Sequence, residues 1–136
     1  MQFTTLFSTL LLATVAFATR ASYDTTYDNA GGSMNTVACS DGQNGLASRF
    51  PTFGDVPTFP NIGGASAIAG WNSPQCGSCW NLTYQGVSIL VTAIDHAGDG
   101  FNLALEALDT LTNGHGTEVG AVDLTAVQVD KSACGL

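Results

Sequence analysis

The chain has 136 residues, of which only 10% are charged, and 11 acidic against three basic residues give a formal net charge of −8 at pH 7. Such an acidic surface repels nucleic-acid phosphates and anionic membrane headgroups, so we expect neither nucleic acid nor membrane as a partner. With so few charges, apolar packing, backbone hydrogen bonds and covalent cross-links must hold the fold. Neutral saccharides, or cationic ones such as partly deacetylated chitin, are compatible with this charge.

The first 18 residues are typical of a secretory signal peptide. The apolar segment over residues 6–17 is too short to span a bilayer comfortably, and Ala16 and Ala18 form the A-x-A pattern that signal peptidases prefer. We therefore predict a signal peptide over residues 1–18, with cleavage after Ala21 as the alternative. Residues 19–136 suit one compact, extracellular domain.

Sixteen glycines spread along the chain predict many short strands joined by tight turns. We predict strands over residues 22–27 and 37–39. Residues 50–61 contain three of the four prolines and three phenylalanines, and we interpret them as an ordered loop anchored by apolar side chains.

The clearest pattern is a hairpin of residues 80–84 and 87–95, because the two-residue turn Gln85-Gly86 separates two strand-like segments. The second segment is apolar on both faces, which is typical of a central strand buried on both sides.

Residues 102–113 have apolar side chains at helical spacing and predict a helix with Asn102 as its N-cap and Gly114 after its end. Residues 118–130 return to strand, with a bulge expected between Leu124 and Val127 where the alternation changes phase. Many short strands with one late helix favour a small closed or partly closed β-barrel.

Four cysteines in an exported chain predict two disulfides, although the sequence alone leaves three pairings open. A redox dithiol at Cys76 and Cys79 would need a preceding strand and a following helix, whereas turn residues precede this pair. The isolated Cys39 and Cys134 argue against structural zinc. The histidines are also isolated, and we predict no metal and no cofactor.

Several motifs, in order and spacing, resemble those of the cerato-platanins along essentially all of residues 19–136. All four cysteines agree with that family's pattern. The motifs are Ser22-Tyr23-Asp24, Ala38-Cys39-Ser40-Asp41-Gly42, Asn44-Gly45-Leu46, Phe59-Pro60-Asn61-Ile62-Gly63-Gly64, Gly70-Trp71-Asn72-Ser73, Cys76-Gly77-Ser78-Cys79-Trp80, Ala93-Ile94-Asp95, Gly100-Phe101-Asn102 and Cys134-Gly135-Leu136.

The resemblance implies a mainly β fold with one or two short helices: a six-stranded double-ψ β-barrel similar to the first domain of expansins. It also implies pairing of Cys39 with Cys76 and of Cys79 with Cys134. Cerato-platanins are secreted fungal proteins of the medium and cell wall. They bind chitin or N-acetylglucosamine oligomers, loosen cellulose or chitin without hydrolysis, self-assemble and elicit plant defence, for which a plant receptor would be the partner.

Asp95 is the foremost candidate site residue, because it ends an apolar strand at a loop and, by resemblance, lies where an acidic residue lines the sugar groove. Asn102 offers a donor and an acceptor to sugar hydroxyls, and Tyr23 an apolar face. Their structural alternatives are turn capping, helix capping and core packing, respectively. The full predicted carbohydrate-binding set is Asp95, Asn102, Tyr23, Asp24, Asn44 and Gly45.

Hydrolysis would need a second carboxylate facing Asp95. Sequence spacing does not show one, and the resemblance implies that it is absent, so we predict no catalytic residue. The competing function is a surface-active, self-assembling wall protein that uses exposed phenylalanines such as Phe53 and Phe59. We expect Trp80 in the core, and we expect the sequon Asn81-Leu82-Thr83 to have poor access because it lies in a strand beside a disulfide.

Overall fold

The computed structural model describes residues 15–136, so most of the predicted signal peptide lies outside the described residues. The strands are β1 Phe17–Tyr23, β2 Ile62–Ala65, β3 Cys79–Tyr84, β4 Val87–His96, β5 Phe101–Leu103 and β6 Ala121–Val129. The helices are α1 Leu105–Thr112 and α2 Gly116–Val119, with short 3-10 turns at Thr25–Asp28, Met34–Thr36, Phe53–Asp55 and Lys131–Cys134. None of the helices in this range has the length and apolar character that a membrane crossing requires.

The six strands close into a barrel in the order β1-β5-β2-β4-β3-β6. β1 pairs in parallel with β5 and β2 in parallel with β4, whereas the other neighbouring strands are antiparallel. The predicted hairpin is confirmed as β3 and β4. Its turn has positive φ at both Gln85 (46°) and Gly86 (82°), as a two-residue type I′ turn requires. Trp80, Leu82 and Val91 turn inward from this hairpin into the core.

Two glycines let β2 lie close to both of its neighbours. A side chain on Gly63 would collide with the backbone carbonyl of Asn102, and a Cβ on Gly64 would lie 2.9 Å from the carbonyl oxygen of His96. The pairing of β2 with β4 also shifts register between these glycines, so that Gly63 lies opposite Ala93 and Gly64 opposite Asp95. The bulge therefore changes which side chains of β4 face outward.

The disulfides join Cys39 to Cys76 and Cys79 to Cys134, which confirms the pairing implied by the family resemblance. Because Cys76 and Cys79 belong to different bridges, they do not form a redox pair. The bridges close chain segments with sequence separations of 37 and 55 residues. Loop-closure entropy at these lengths corresponds to about 4 kcal/mol of stabilisation each.

The first predicted strand was wrong at both ends, because β1 runs from Phe17 to Tyr23 and not over residues 22–27. It stops at Tyr23, because the Asp24 side chain accepts a hydrogen bond from the Thr26 amide (2.9 Å) and starts a 3-10 turn. Tyr23 and Tyr27 therefore do not share a strand face. The strand predicted over residues 37–39 is also absent, although the Cys39 amide donates to the Ile94 carbonyl at the end of β4 (3.1 Å).

The predicted helix begins three residues later than expected, at Leu105, and Asn102 lies in β5 instead of capping it. The cap comes from Asp28, whose carboxylate oxygens accept hydrogen bonds from the amides of Leu105 (2.8 Å) and Glu106 (2.9 Å). A carboxylate at a helix N-terminus satisfies free amides and complements the helix dipole. This partner is remote in sequence, so the helical pattern did not reveal it.

The bulge predicted in β6 was wrong. β6 keeps an unbroken register with both β1 and β3. Val122, Leu124 and Ala126 point inward in strict alternation. The alternation of buried and exposed side chains stops near the end of the barrel. There Gln128 faces solvent and donates a hydrogen bond to the Gln75 side chain (2.8 Å). The segment from residue 116 to 119 is a short helix, α2, before this strand.

The apolar loop is anchored as predicted, which removes its phenylalanines from the outer surface. Phe53 is only 1% exposed, Phe50 is buried and Phe59 is partly buried. Trp80 is confirmed in the core at 5% exposure, with an edge-to-face contact to Phe101 (ring centroids 5.4 Å apart). The exposed indole is that of Trp71, at 63%.

Replacing Asp28 by alanine should destabilise the fold by about 0.5–2 kcal/mol, because the first two amides of α1 lose their acceptor. Urea unfolding followed by circular dichroism measures the change. Asp99→Ala, in an exposed loop, is the matched control and should stay within about 0.5 kcal/mol of the wild type. Equal stability of the two variants would contradict the capping role.

Candidate functional site

Four residues lie side by side across four strands of the barrel, and we call them the polar row: Ser22, Asn102, Gly64 and Asp95. Ser22 on β1 is opposite Asn102 on β5, and Gly64 on β2 is opposite both Asn102 and Asp95. Directly paired residues of a sheet point to the same face. Because Phe101 and Leu103 are buried while Asn102 is partly exposed, the row faces outward.

Asp95 is tied into the structure by three hydrogen bonds. Its Oδ2 accepts from the Tyr27 hydroxyl (2.7 Å), and its Oδ1 accepts from the amides of Ala38 (3.0 Å) and His96 (2.8 Å). The side chain remains partly exposed. Asp95 therefore anchors two loops to the end of β4 and also contributes to the polar row, so capping and site membership are compatible.

Tyr27 is a buried residue whose phenol hydroxyl donates a hydrogen bond to Asp95. Burial raises the pKa of Tyr27 well above its usual range, and the hydrogen bond and negative charge of Asp95 raise it further. The hydroxyl consequently stays protonated and serves as a donor. The charge of Asp24 acts in the same direction, which places that carboxylate near the same phenol.

Asn102 has the side chain in the row that is most available for a ligand. Its Oδ1 accepts a hydrogen bond from the Ser22 hydroxyl (3.0 Å). This contact fixes the amide plane and, among the described residues, leaves its Nδ2 without a protein acceptor. The Nδ2 group is thus an oriented donor at the surface.

The other predicted site residues do not join the row. Tyr23 is opposite the inward-facing Leu103 and packs against the core, and Asp24 caps a 3-10 turn. Asn44 and Gly45 lie in the wall of a separate open cavity of about 350 Å³. The structure therefore brings together Asp95 and Asn102 and places Asn44 and Gly45 in a separate cavity. Tyr23 and Asp24 follow Ser22 directly in the chain but are not members of the row. The part of these four residues in ligand binding stays a prediction.

That cavity is bounded by residues 43–49, by Cys76 of the Cys39–Cys76 bridge and by the C-terminal residues Lys131 and Leu136. Two of the three basic residues of the chain, Arg49 and Lys131, contribute to its wall. Lys131 Nζ donates to the Cys76 carbonyl (3.0 Å). Two hydrogen bonds fix Asn44. Its backbone amide donates to Asn72 Oδ1 (2.9 Å), and its side-chain Nδ2 donates to the backbone carbonyl of Asn72 (3.0 Å).

Trp71, from the Gly70-Trp71-Asn72-Ser73 motif, has a solvent-exposed indole ring. Its Nε1 donates to Asp41 Oδ1 (2.7 Å), and this bond is the main reason that the pKa of Asp41 is lowered from its usual value. Gly42 allows the close packing, because a Cβ there would lie 3.0 Å from the indole ring. The indole is therefore held in one orientation although it is solvent-exposed.

Within residues 15–136 no group of three or more histidine, cysteine or acidic side chains is arranged to hold a metal ion. Three of the carboxylates that could have partnered Asp95 accept hydrogen bonds elsewhere. Asp24 and Asp28 accept backbone amides at turn and helix starts, and Asp41 accepts from Trp71.

Residues 19–136 match the family model described as Cerato-platanin. The chain belongs to the cerato-platanin family. Allergen Asp f 15 of Aspergillus fumigatus is 55% identical over 119 residues, covering 88% of this chain and 78% of that protein. The cerato-platanin of Ceratocystis fimbriata f. sp. platani is 46% identical over 130 residues, covering 94% and 95% of the two chains.

Solved structures agree with the family. Cerato-platanin 2 of M. perniciosa has a TM-score of 0.85 and 58% identity, with 88% of this chain and 100% of that chain covered. An expansin of Clavibacter michiganensis, solved with cellohexaose, has a TM-score of 0.60 and 17% identity, with 85% and 51% covered, and shows the shared fold alone. The closed barrel is the double-ψ β-barrel that the resemblance implied.

Tyr27→Phe should lower the free energy of unfolding by about 1.5–3 kcal/mol, because Asp95 loses a hydrogen bond from a buried donor. A group whose pKa is raised on folding contributes fully below its unfolded value and loses the contribution only as pH rises through the folded value. The difference from wild type in urea unfolding should therefore be constant between about pH 6 and pH 9. Tyr84→Phe is the control, and an equal loss there would contradict the assignment.

Acid titration should report on the Trp71–Asp41 contact. Because the pKa of Asp41 is lowered from 3.8, this interaction is present above that pH and is lost as pH falls through the lower folded value. We expect Trp71 emission to change with a midpoint below 3.8. Trp71→Phe supplies the Trp80 background, and Asp41→Asn should abolish the transition. A midpoint unaffected by Asp41→Asn would refute the coupling.

Proposed function

We propose that this chain is an exported fungal cell-wall protein that binds a neutral polysaccharide along the polar row and acts on the wall without cutting glycosidic bonds. The observation that carries the proposal is the alignment of Asn102 and Asp95 on either side of Gly64. Gly64 adds no side chain between the two polar groups, although the carbonyl of His96 and the Cβ of Ala97 approach its outer face and leave it buried. A sugar chain lying across the strands would therefore pass over the His96–Ala97 backbone to reach both polar groups.

The dimensions and chemistry of the row suit a saccharide. Neighbouring strands are about 4.8 Å apart, so the two intervals from Asn102 to Asp95 span at most about 10 Å around the barrel, enough for more than one sugar ring. Asn102 offers an oriented amide donor and Asp95 offers remaining acceptor capacity on its carboxylate. Sugar hydroxyls both donate and accept, so alternating groups of this kind match them. A neutral chain is also not repelled by the −8 charge.

We take chitin and N-acetylglucosamine oligomers as the first ligand class, as the family implies, and cellulose oligomers as the second. The second choice draws on the expansin of the same fold that was solved with cellohexaose. The fungal elicitor cerato-platanin, 47% identical with a TM-score of 0.78 over 85% of this chain and 95% of that chain, supports a role in plant defence as well.

Binding without hydrolysis is supported by what surrounds Asp95. Glycosidases need two carboxyl groups flanking the scissile bond. Asp24 and Asp28 are engaged by backbone amides, and Asp95 itself serves three donors that hold loops in place. We therefore infer loosening or masking of wall polymers and not their cleavage.

The competing proposal is a surface-active protein that self-assembles through its exterior. The structure changes which side chains could take part in this activity. Buried Phe53 cannot act at an outer surface. Trp71, fixed by Asp41 and 63% exposed, is the side chain that could. Film formation that is lost in Trp71→Ala and kept in Asn102→Ala would favour this alternative.

NMR titration with chitotetraose, and separately with cellohexaose, tests the main proposal. We expect amide shifts around residues 63–64, 95–96 and 101–103. Asn102→Ala should weaken binding about 2- to 12-fold, the equivalent of one hydrogen bond of 0.5–1.5 kcal/mol. Asn102 is preferred to Asp95 for this test because its only side-chain contact in the described range is with Ser22.

Thr125→Ala is the matched control, because Thr125 is exposed on β6, on the opposite side of the barrel from β2. Its affinity should equal that of the wild type. Shifts confined to residues 43–46 would move the site to the separate cavity. No shifts with either oligomer would defeat the proposal, and new reducing ends that disappear in Asp95→Asn would establish hydrolysis instead.

A further inference from the structure

The only Asn-X-Ser/Thr sequon of the chain, Asn81-Leu82-Thr83, lies in the middle of β3. Leu82 and Trp80 point into the barrel, so Asn81 and Thr83 point outward. A hydrogen bond of 2.6 Å between the hydroxyls of Thr83 and Ser88 confirms that face. The predicted position in a strand beside a disulfide is confirmed, and the Asn81 side chain is partly exposed on the folded surface.

The Asn81 amide has no structural task that a modification would disturb. Within residues 15–136 it makes no side-chain hydrogen bond, and no fully buried polar side-chain atom in that range lacks a partner. Its cross-strand neighbours are Leu90 on β4 and Val127 on β6, both partly buried. An N-acetylglucosamine attached at Asn81 could lay its apolar face over this strip, as sugars do on aliphatic side chains.

The topology also gives the modifying enzyme time to act. β3 pairs with β6, and Cys79 at its start bonds to Cys134, so the strand cannot be completed until the end of the chain has been made. With 55 residues between the two cysteines and synthesis at about 5–20 residues per second, β3 lacks its β6 partner and its disulfide for about 3–11 s during export. Transfer to an extended chain is therefore not hindered by the final barrel.

We propose that Asn81 is an N-glycosylation site of the exported protein. The donor is an oligosaccharide linked through its reducing-end N-acetylglucosamine to a lipid pyrophosphate. Asn81 Nδ2 forms a bond to C1 of that sugar, the C1–oxygen bond breaks, the amide loses one proton and the lipid pyrophosphate leaves.

The position of the glycan is compatible with saccharide binding at the polar row. In the ring of six strands, β3 lies three steps from β5, which carries Asn102. β3 is, however, adjacent to β4, which carries Asp95. Asn81 lies opposite Leu90, so about 17 Å along β4 separates it from Asp95. A glycan on Asn81 therefore starts well away from Asp95 along this strand and leaves the row open.

The test is secretion of the full chain from a yeast, followed by intact mass measurement before and after peptide-N-glycosidase treatment in ¹⁸O-labelled water. We expect extra mass in hexose and N-acetylhexosamine units, and heavy-oxygen aspartate at position 81 after release. Asn81→Gln and Thr83→Ala should both remove the extra mass. Thr83→Ser, which keeps a hydroxyl beside Ser88, should retain it. Secreted wild-type protein with unmodified Asn81 would overturn the proposal.

A second version with the host's own signal peptide in front of Thr19 separates glycosylation from export. If only this version is secreted and carries the glycan, the site assignment holds and the signal-peptide prediction fails. If it is secreted without the glycan, the site assignment is wrong.

Discussion

The close approach of β2 to β4 and β5 is the constraint on which the candidate site depends. β2 is short, and its two central glycines carry no side chains, so the flanking strands pack directly against its backbone. The register shift between Gly63 and Gly64 then sets Asp95, and not Ile94, opposite Gly64. Any larger residue at either glycine would push apart the two strands that carry Asp95 and Asn102. The same packing requirement thus closes the barrel and spaces the polar groups.

The long irregular segment between β1 and β2 is held to this barrel by a few polar and covalent contacts instead of by regular pairing. Asp95 receives the Ala38 amide and the Tyr27 hydroxyl, Asp28 caps α1, and Cys39 is bonded to Cys76. Each contact joins residues that are far apart in the chain. A protein with few charges uses its carboxylates mainly as hydrogen-bond acceptors, which explains why most of them are committed to loops and caps.

Sequence patterns correctly predicted the elements that are determined by residues close together in the chain. The β3–β4 hairpin was correct to within one residue at each end because Gln85-Gly86 and the apolar alternation are sufficient to define it. The start of α1 was wrong because its cap, Asp28, is remote in sequence and is brought near only by the tertiary structure. The end of β1 was wrong because Asp24 accepts a hydrogen bond from the nearby Thr26 amide and starts a turn inside the strand-like pattern. Asp95 and Asn102 were identified from residue type and resemblance.

Their alignment across Gly64 could not be predicted, since it requires the strand order and the register shift. The inward face of Tyr23 and the separation of Asn44 and Gly45 from the row have the same origin, because both follow from which strands become neighbours. In the sequence, Asn44 lies shortly after Cys39, and this spacing does not show whether its side chain faces the polar row. Only the folded loops show that it contacts Asn72 instead.

The hydrogen bonds that hold Asp95 in place would also lower the energetic cost of ligand binding at the proposed site. Fixing a flexible side chain on binding costs about 0.5–1.5 kcal/mol, and such costs subtract from affinity. Asp95 is already fixed by three donors and Asn102 by Ser22, so neither has to be ordered by the ligand. The same bonds use up acceptor capacity, which limits how strongly each group can bind a hydroxyl. In the proposed site, a pre-ordered row of individually weak contacts would favour long chains over single sugars.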